Sequence, residues 1–67
     1  MRELVSKLID TEDGVQICYT ELSGDSTETK PTAGIADGSI FVESDTGTVY
    51  FFSEDQTDWV EQFSFQS

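Results

Sequence analysis

Apolar residues concentrate in the C-terminal part of the chain, from Asp37 to Phe65. This stretch contains every aromatic residue except Tyr19. Two turn signals divide it into three short apolar runs, a pattern typical of a three-stranded antiparallel meander. The sequence therefore predicts an all-β fold within one domain, residues 1–67, and its meander strands are expected at residues 39–44, 48–53 and 58–65.

The first turn of the meander contains Asp45, Thr46 and Gly47. A two-residue turn on Thr46 and Gly47 would place a β-branched residue at positive φ, which is unfavourable. We therefore predict a type I turn over Asp45 and Thr46, followed by Gly47 in the left-handed region. In this arrangement Ser44 pairs with Thr48.

This register divides the apolar side chains of the meander between the two faces of the sheet. The predicted core residues are Ile40, Val42, Tyr50, Phe52 and Trp59. The candidate residues for an oligomer or partner interface are Phe41, Val49, Phe51, Val60, Phe63 and Phe65. Because a lone antiparallel sheet usually has one solvated face, we expect the N-terminal segment to cover one face and an identical subunit to cover the other. The alternative is a sheet that curls into a small barrel.

The first twenty residues fit two interpretations. Apolar residues at positions 4, 5, 8 and 9 have the spacing of a short helix. However, Asp13-Gly14 is a turn signal, and apolar and polar residues alternate after it. We favour a hairpin that pairs residues 4–9 with residues 15–20, with Cys18 as a buried, inert thiol in mid-strand.

The segment 22–37 is predicted to be a long polar loop, because it is rich in hydroxyl residues and contains Pro31 and two glycines. Loops of this length in a small domain are usually functional or mobile. Two roles are open for it at this point. It is either a flexible connector or an arm that becomes ordered against a neighbouring subunit.

The charge of the chain is strongly unbalanced, with 14 acidic residues, 3 basic residues and a net charge of −11. Such a surface repels nucleic-acid phosphates and anionic lipid headgroups, so neither nucleic acid nor a membrane is an expected partner. The apolar runs are too short to span a bilayer, and the first residues lack the features of a secretory signal. A single cysteine agrees with a cytoplasmic location.

A chain of 67 residues buries a small core, and such domains usually need a further source of stability. The chain has one cysteine and no histidine, which excludes an intramolecular disulfide and a histidine–cysteine zinc site. Self-association is the remaining common solution. Histidine-dependent nucleophilic catalysis is also excluded, and the acidic segment 10–14 lacks the spacing of a calcium loop. We predict no enzyme activity, no catalytic residue, no metal and no cofactor.

One combination of residues extends from the polar loop into the meander. It comprises the run Leu22–Thr32, then Gly38, Ser39, Phe41, Glu43, Asp45, Thr46, Gly47, Tyr50, Phe52 and Trp59. This combination resembles a module of small virion and assembly proteins in tailed bacteriophages, where it occurs in stand-alone proteins and in tail and head-associated proteins. The chain departs from the module at the second turn, where Gln56, Thr57 and Asp58 replace a glycine-containing segment.

The resemblance implies a non-enzymatic structural or assembly protein that acts as a homo-oligomer in a symmetric ring, with other phage structural proteins as partners. It implies a location in the host cytoplasm during assembly, or in the virion. It leaves open whether the protein is a tail accessory, a head accessory or an assembly chaperone. The charge supports an alternative hypothesis, an acidic inhibitor that mimics DNA and binds a basic groove of a host protein.

Overall fold

The computed structural model describes residues 1–65, which form a five-stranded mixed sheet. The strands are β1 (Arg2–Glu12), β2 (Val15–Gly24), β3 (Ile40–Glu43), β4 (Thr48–Ser53) and β5 (Asp58–Ser64). They follow the order β1-β2-β3-β4-β5, so the sheet is open and the barrel alternative is wrong. The predicted all-β fold is confirmed. Residues 1–65 contain no helix long and apolar enough to cross a membrane.

The N-terminal segment forms a hairpin, and the helical interpretation of it is wrong. β1 and β2 pair antiparallel over more residues than predicted, and the turn between them consists of Asp13 and Gly14. Both turn residues have positive φ, at 50° and 80°, as a type I′ hairpin turn requires. Two register shifts leave Leu4 and Ile9 as extra residues in β1, which makes each of them a β-bulge.

The predicted meander is present as β3, β4 and β5, with antiparallel pairing throughout. Phe52 of β4 lies opposite Trp59 of β5, and both were predicted as core residues. Nothing in the sequence analysis anticipated that β3 would pair in parallel with β2. This parallel pairing joins the hairpin and the meander into one sheet and requires the chain to cross over between β2 and β3.

The first turn of the meander is one residue longer than predicted. Glu43, not Ser44, pairs with Thr48, and the Gly47 N–H donates to the Glu43 carbonyl at 2.7 Å. Gly47 is left-handed as predicted, with a φ of 73°. A shift of one residue exchanges the two faces of a strand, so the predicted faces of β3 are reversed.

The correction moves Phe41 from the predicted interface to the core, where it is 0% exposed. Ile40 and Val42, predicted as core residues, are half-buried on the opposite side of the sheet. By register, one side, called here the covered face, carries Leu22, Phe41, Glu43, Thr48, Tyr50, Phe52 and Trp59. The other side, called the open face, carries Ile40, Val42, Val49, Phe51, Val60 and Phe63.

The covered face owes its burial to the connection between β2 and β3. In this connection Ile35 forms a parallel bridge with Cys18 and packs against the core, and Ala36 is 1% exposed. The prediction that the N-terminal segment covers a face is wrong, because β1 is exposed along its whole length. The polar loop instead packs on its own chain, a role that neither predicted alternative described.

Trp59 is the centre of the core and its link to the loop. Its ring meets Phe41 and Phe52 edge-on, with centroids 5.9 and 5.2 Å away. Its indole Nε1–H donates to the Pro31 carbonyl at 2.8 Å, so the polar atom of a buried tryptophan is satisfied by the loop. This hydrogen bond therefore joins the loop to the aromatic core.

We expect Gly47→Val to destabilise the fold by about 1–2 kcal/mol, because a side chain at positive φ is strained and a β-branched one is strained most. Gly47→Asn is the matched variant, since asparagine adopts the left-handed region more readily. Urea unfolding followed by Trp59 fluorescence measures both free energies. Equal losses for the two variants would contradict a conformational cause.

Candidate interaction surface

An ion pair in the interior fixes the loop on the covered face. The Lys30 ammonium lies 2.7 Å from Oε2 of Glu43, and the two side chains are only 17% and 5% exposed. The same ammonium lies over the rings of Phe41 and Tyr50, at 4.8 and 4.7 Å from their centroids. The positive charge of the loop is thus enclosed by one carboxylate and two aromatic faces.

Glu43 is also held by the meander turn. The Thr46 hydroxyl donates to Oε1 of Glu43 at 2.8 Å, and the Thr48 N–H donates to the Thr46 hydroxyl at 3.2 Å. The hydrogen bond from Lys30 lowers the pKa of Glu43 below its ordinary value of 4.5, against the opposing effect of burial. Burial, followed by the charge of Glu43, raises the pKa of Tyr50.

Two further contacts hold the loop at its ends. At the start of the loop, the Ser26 N–H and hydroxyl donate to the Asp45 carboxylate at 2.9 and 2.7 Å, and these bonds lower the pKa of Asp45. At its end, the fully buried Ser39 accepts a hydrogen bond from the Thr20 N–H at 3.0 Å. The loop therefore contacts β2 and the first meander turn as well as the core.

The open face has no comparable cover in residues 1–65. Phe51 and Phe63 are 38% and 48% exposed, and Phe65, which packs edge-on against Phe63 at 5.2 Å, is 73% exposed. Val49 is the exception at 5% exposed, with Phe63 directly opposite on β5. A continuous set of exposed aromatic and half-buried aliphatic side chains on one sheet face is typical of an interaction surface.

A shallow cavity of about 330 Å³ lies at one end of the open face, near the second turn. Phe51 and Val60 provide apolar walls, whereas Asp37, Gln56 and Gln62 provide polar ones. A cavity with an apolar floor and a polar, acidic rim is suited to an apolar side chain that has a hydrogen-bond donor or a positively charged group beside it.

β1 is the second exposed surface. Leu4, Val5, Leu8 and Ile9 are 53%, 42%, 53% and 56% exposed, although they occupy a single strand. Within the described residues, β1 pairs only with β2, so its other edge is open. Exposed apolar side chains in this number on an edge strand mark either a contact surface or a liability for aggregation.

The predicted interface residues can now be placed in the structure. Val49, Phe51, Val60 and Phe63 lie on the open face, and Phe65 follows the end of β5. Phe41 does not belong with them, because it is part of the core together with Phe52 and Trp59. Tyr50 packs against that core, and Ile40 and Val42 belong to the open face.

Sequence analysis missed the Lys30–Glu43 pair and the exposure of β1. A signal for the pair was present, since Glu43 lies two positions after Phe41 on an apolar strand and so shares its face. No corresponding signal identified Lys30, because a lysine before a proline is ordinarily a solvated loop residue.

No group of histidine, cysteine, aspartate and glutamate side chains within residues 1–65 is arranged to hold a metal ion. Cys18 is half-buried in β2. Comparisons with protein-family models, curated proteins and solved structures give no match. The chain exposes two apolar surfaces, β1 and the open face, and has a net charge of −11.

We expect Lys30→Met to destabilise the fold by up to about 3–5 kcal/mol, because it leaves the carboxylate of Glu43 buried without its partner. Lys7→Met, at an exposed position on β1, is the matched control and should change stability by less than about 0.5 kcal/mol. Urea unfolding at neutral pH measures both. A similar small effect for both lysines would show that the ion pair does not hold the loop.

The lowered pKa of Glu43 predicts a specific pH dependence. Its stabilising contribution is present above its ordinary pKa of 4.5 and is lost as the pH falls through the lower folded pKa. The difference in unfolding free energy between wild type and Glu43→Gln should therefore be constant near neutral pH and shrink below about pH 4.5. Urea unfolding at several pH values measures it, with Glu12→Gln as the control for loss of one acidic group. A difference that grows on acidification would contradict this assignment.

Proposed function

We propose that this chain is a non-enzymatic structural or assembly protein that self-associates through the open face of its sheet. The observation that carries the proposal is the asymmetry of the two faces. One is sealed by the loop, whereas the other exposes Phe51, Phe63 and Phe65. Self-association covers such a face without requiring any additional partner, and small domains often gain stability in this way.

The strength of this contact can be estimated from the side chains involved. Full burial of a phenylalanine contributes about 1.5–3 kcal/mol, so the three exposed phenylalanines supply roughly 5–9 kcal/mol at most. Association costs an estimated 4–15 kcal/mol in lost translational and rotational freedom. The two ranges overlap, so burial of these side chains supplies free energy of the same order as the cost of association.

The class of assembly is inferred from the resemblance to small virion proteins of tailed bacteriophages. We propose a role as a tail or head accessory or as an assembly chaperone, with other phage structural proteins as further partners. The test is fractionation of infected cells, where the protein should sediment with particles or assembly intermediates. Its recovery only as free protein would contradict a structural role and would leave a chaperone as the assembly function.

The net charge of −11 favours a second candidate function, an acidic inhibitor that occupies a DNA-binding groove. The two proposals predict opposite responses to salt. An assembly held by apolar contacts persists at high ionic strength, whereas a complex that depends on charge is weakened by screening. Light scattering of the purified chain at low and high salt separates them, because a monomer under both conditions favours the inhibitor.

We expect the double variant Phe51→Ser, Phe63→Ser to lose self-association while it remains folded, because both side chains are exposed on the open face. Native mass should fall to that of a single chain, 7.5 kDa. Phe41→Ser is the contrasting control, since it should unfold the chain by removing a core residue. An oligomer of unchanged mass in the double variant would show that the open face is not the contact surface.

A further inference from the structure

We propose that residues 25–33, called here the strap, open and close over the covered face as a unit of their own, and that the ion pair of Lys30 with Glu43 is a latch that acid releases. The covered face then has two states. In one it is sealed by the strap, and in the other its aromatic side chains meet solvent while the five strands stay paired. This inference concerns the loop of a single chain and does not depend on self-association.

The strap has few apolar side chains to hold it on the core. Its sequence is Asp-Ser-Thr-Glu-Thr-Lys-Pro-Thr-Ala, in which only Pro31 and Ala33 are apolar. Hydrophobic burial therefore contributes little to its position, and its polar contacts decide whether it is closed. More than half of the strap is exposed, namely Ser26, Thr27, Thr29, Thr32 and Ala33.

The residues that follow the strap are held in a different way. The Cys18 N–H donates to the Gly34 carbonyl, and the Ala36 N–H donates to the Cys18 carbonyl, both at 2.9 Å. Ile35 packs against the core, and Ala36 is 1% exposed. Main-chain bonds and apolar burial thus fix residues 34–36 on β2, and neither depends on pH.

The strap is also fixed at its other end. The Gly24 carbonyl, at the end of β2, accepts a hydrogen bond from the Ser44 N–H at 2.7 Å. The strap therefore lies between two points that belong to the sheet, Gly24 and Gly34. Its opening displaces the residues between these points and leaves the strands paired.

Carboxylates of the sheet and its first meander turn hold the strap closed. The Lys30 ammonium lies 2.7 Å from Oε2 of Glu43, and Ser26 donates twice to Asp45, at 2.9 and 2.7 Å. A protonated carboxyl forms no ion pair and accepts hydrogen bonds more weakly. These contacts lower the pKa of Glu43 and of Asp45. The closed state is therefore favoured above the ordinary pKa of Glu43, 4.5, and is lost as the pH falls through its lower pKa in the closed strap.

The titratable groups near the latch come from each element packed against it. They are Lys30 and Glu28 of the strap, Tyr50 of β4, Glu61 of β5 beside Tyr50, and Asp45 of the first meander turn. The Met1 ammonium, 2.6 Å from Glu28, lowers the pKa of that carboxyl, so Glu28 also loses its charge in acid. Protonation of Glu43 leaves the Lys30 ammonium buried without its partner, which favours its release to water.

Opening exposes the aromatic side chains that the strap covers. Phe41 is 0% exposed and Trp59 is 7% exposed, and the Lys30 ammonium lies over the rings of Phe41 and Tyr50. When the strap is open, these rings form an apolar surface on the second side of the sheet. In acid the chain therefore presents apolar side chains on both faces and gains a contact surface that it lacks at neutral pH.

Trp59 reports the state of the strap directly. It is the single tryptophan of the chain, and its Nε1–H donates to the Pro31 carbonyl at 2.8 Å. Between about pH 7 and about pH 3, its emission should shift to longer wavelength while the far-ultraviolet circular dichroism keeps its strand signal. Amide exchange, corrected for the intrinsic rate at each pH, should rise several-fold in residues 25–33 and stay unchanged in β4. Loss of the emission and the strand signal together at one pH would overturn the proposal, because the strap would then open only with the sheet.

Two variants test the latch. Lys30→Met combined with Glu43→Leu removes one charge of each sign, so the net charge of −11 is kept, and an apolar pair in place of a buried ion pair is often tolerated. This double variant should stay closed in acid, with no shift of the Trp59 emission. Glu43→Gln resembles the protonated latch and should already have an open strap at neutral pH, whereas Glu12→Gln, on the exposed β1, should behave as wild type.

The two variants fail in separate ways. A double variant that opens at the same pH as wild type overturns the role of Lys30 and Glu43 as the latch. If the double variant does not fold, Glu43→Gln decides the question by itself. A Glu43→Gln chain whose residues 25–33 remain as protected from exchange as in wild type at neutral pH overturns the proposal.

Discussion

The ion pair of Lys30 with Glu43 is the constraint on which the rest of this structure depends. A lysine from the loop and a glutamate from β3 are removed from water together, and the cost of doing so is offset by their short contact and by the rings of Phe41 and Tyr50. Without that pairing, the loop would bring a charge onto an aromatic core. The pair therefore permits a polar segment to act as the second layer of a domain that has no helix in its described residues.

Sealing one face in this way leaves the other face open. The loop between β2 and β3 is the longest connection between the described strands. It packs on the covered face through Lys30, Pro31, Ile35 and Ser39. β1 is exposed and contributes no cover to either face. The chain thus has one sheet, two apolar faces and enough remaining sequence to cover only one of them. Its exposed apolar surface follows from this shortage and is the basis of the proposed self-association.

The elements of this fold were predictable from the sequence, but their register was not. Turn signals and apolar runs predicted the five strands and the left-handed Gly47, because these depend on local chemistry. The faces of β3 could not be assigned reliably, since Ile40, Phe41 and Val42 are all apolar and give no alternation to fix a one-residue choice. The parallel pairing of β2 with β3 depends on contacts across the long loop. The role of Lys30 depends on its burial in the folded chain, and a lysine in a sequence ordinarily indicates an exposed position.

The residues that carry the resemblance to phage virion proteins have structural roles in this chain. Lys30 and Glu43 form the ion pair, and the Pro31 carbonyl accepts a hydrogen bond from Trp59. The hydrogen bond of Ser26 to Asp45 joins the loop to the first meander turn, and the positive φ of Gly47 permits that turn. Together these residues close the loop over the sheet. The apolar surfaces that this closure leaves exposed are β1 and the open face, so a partner contact that buries apolar area falls on one or both of them.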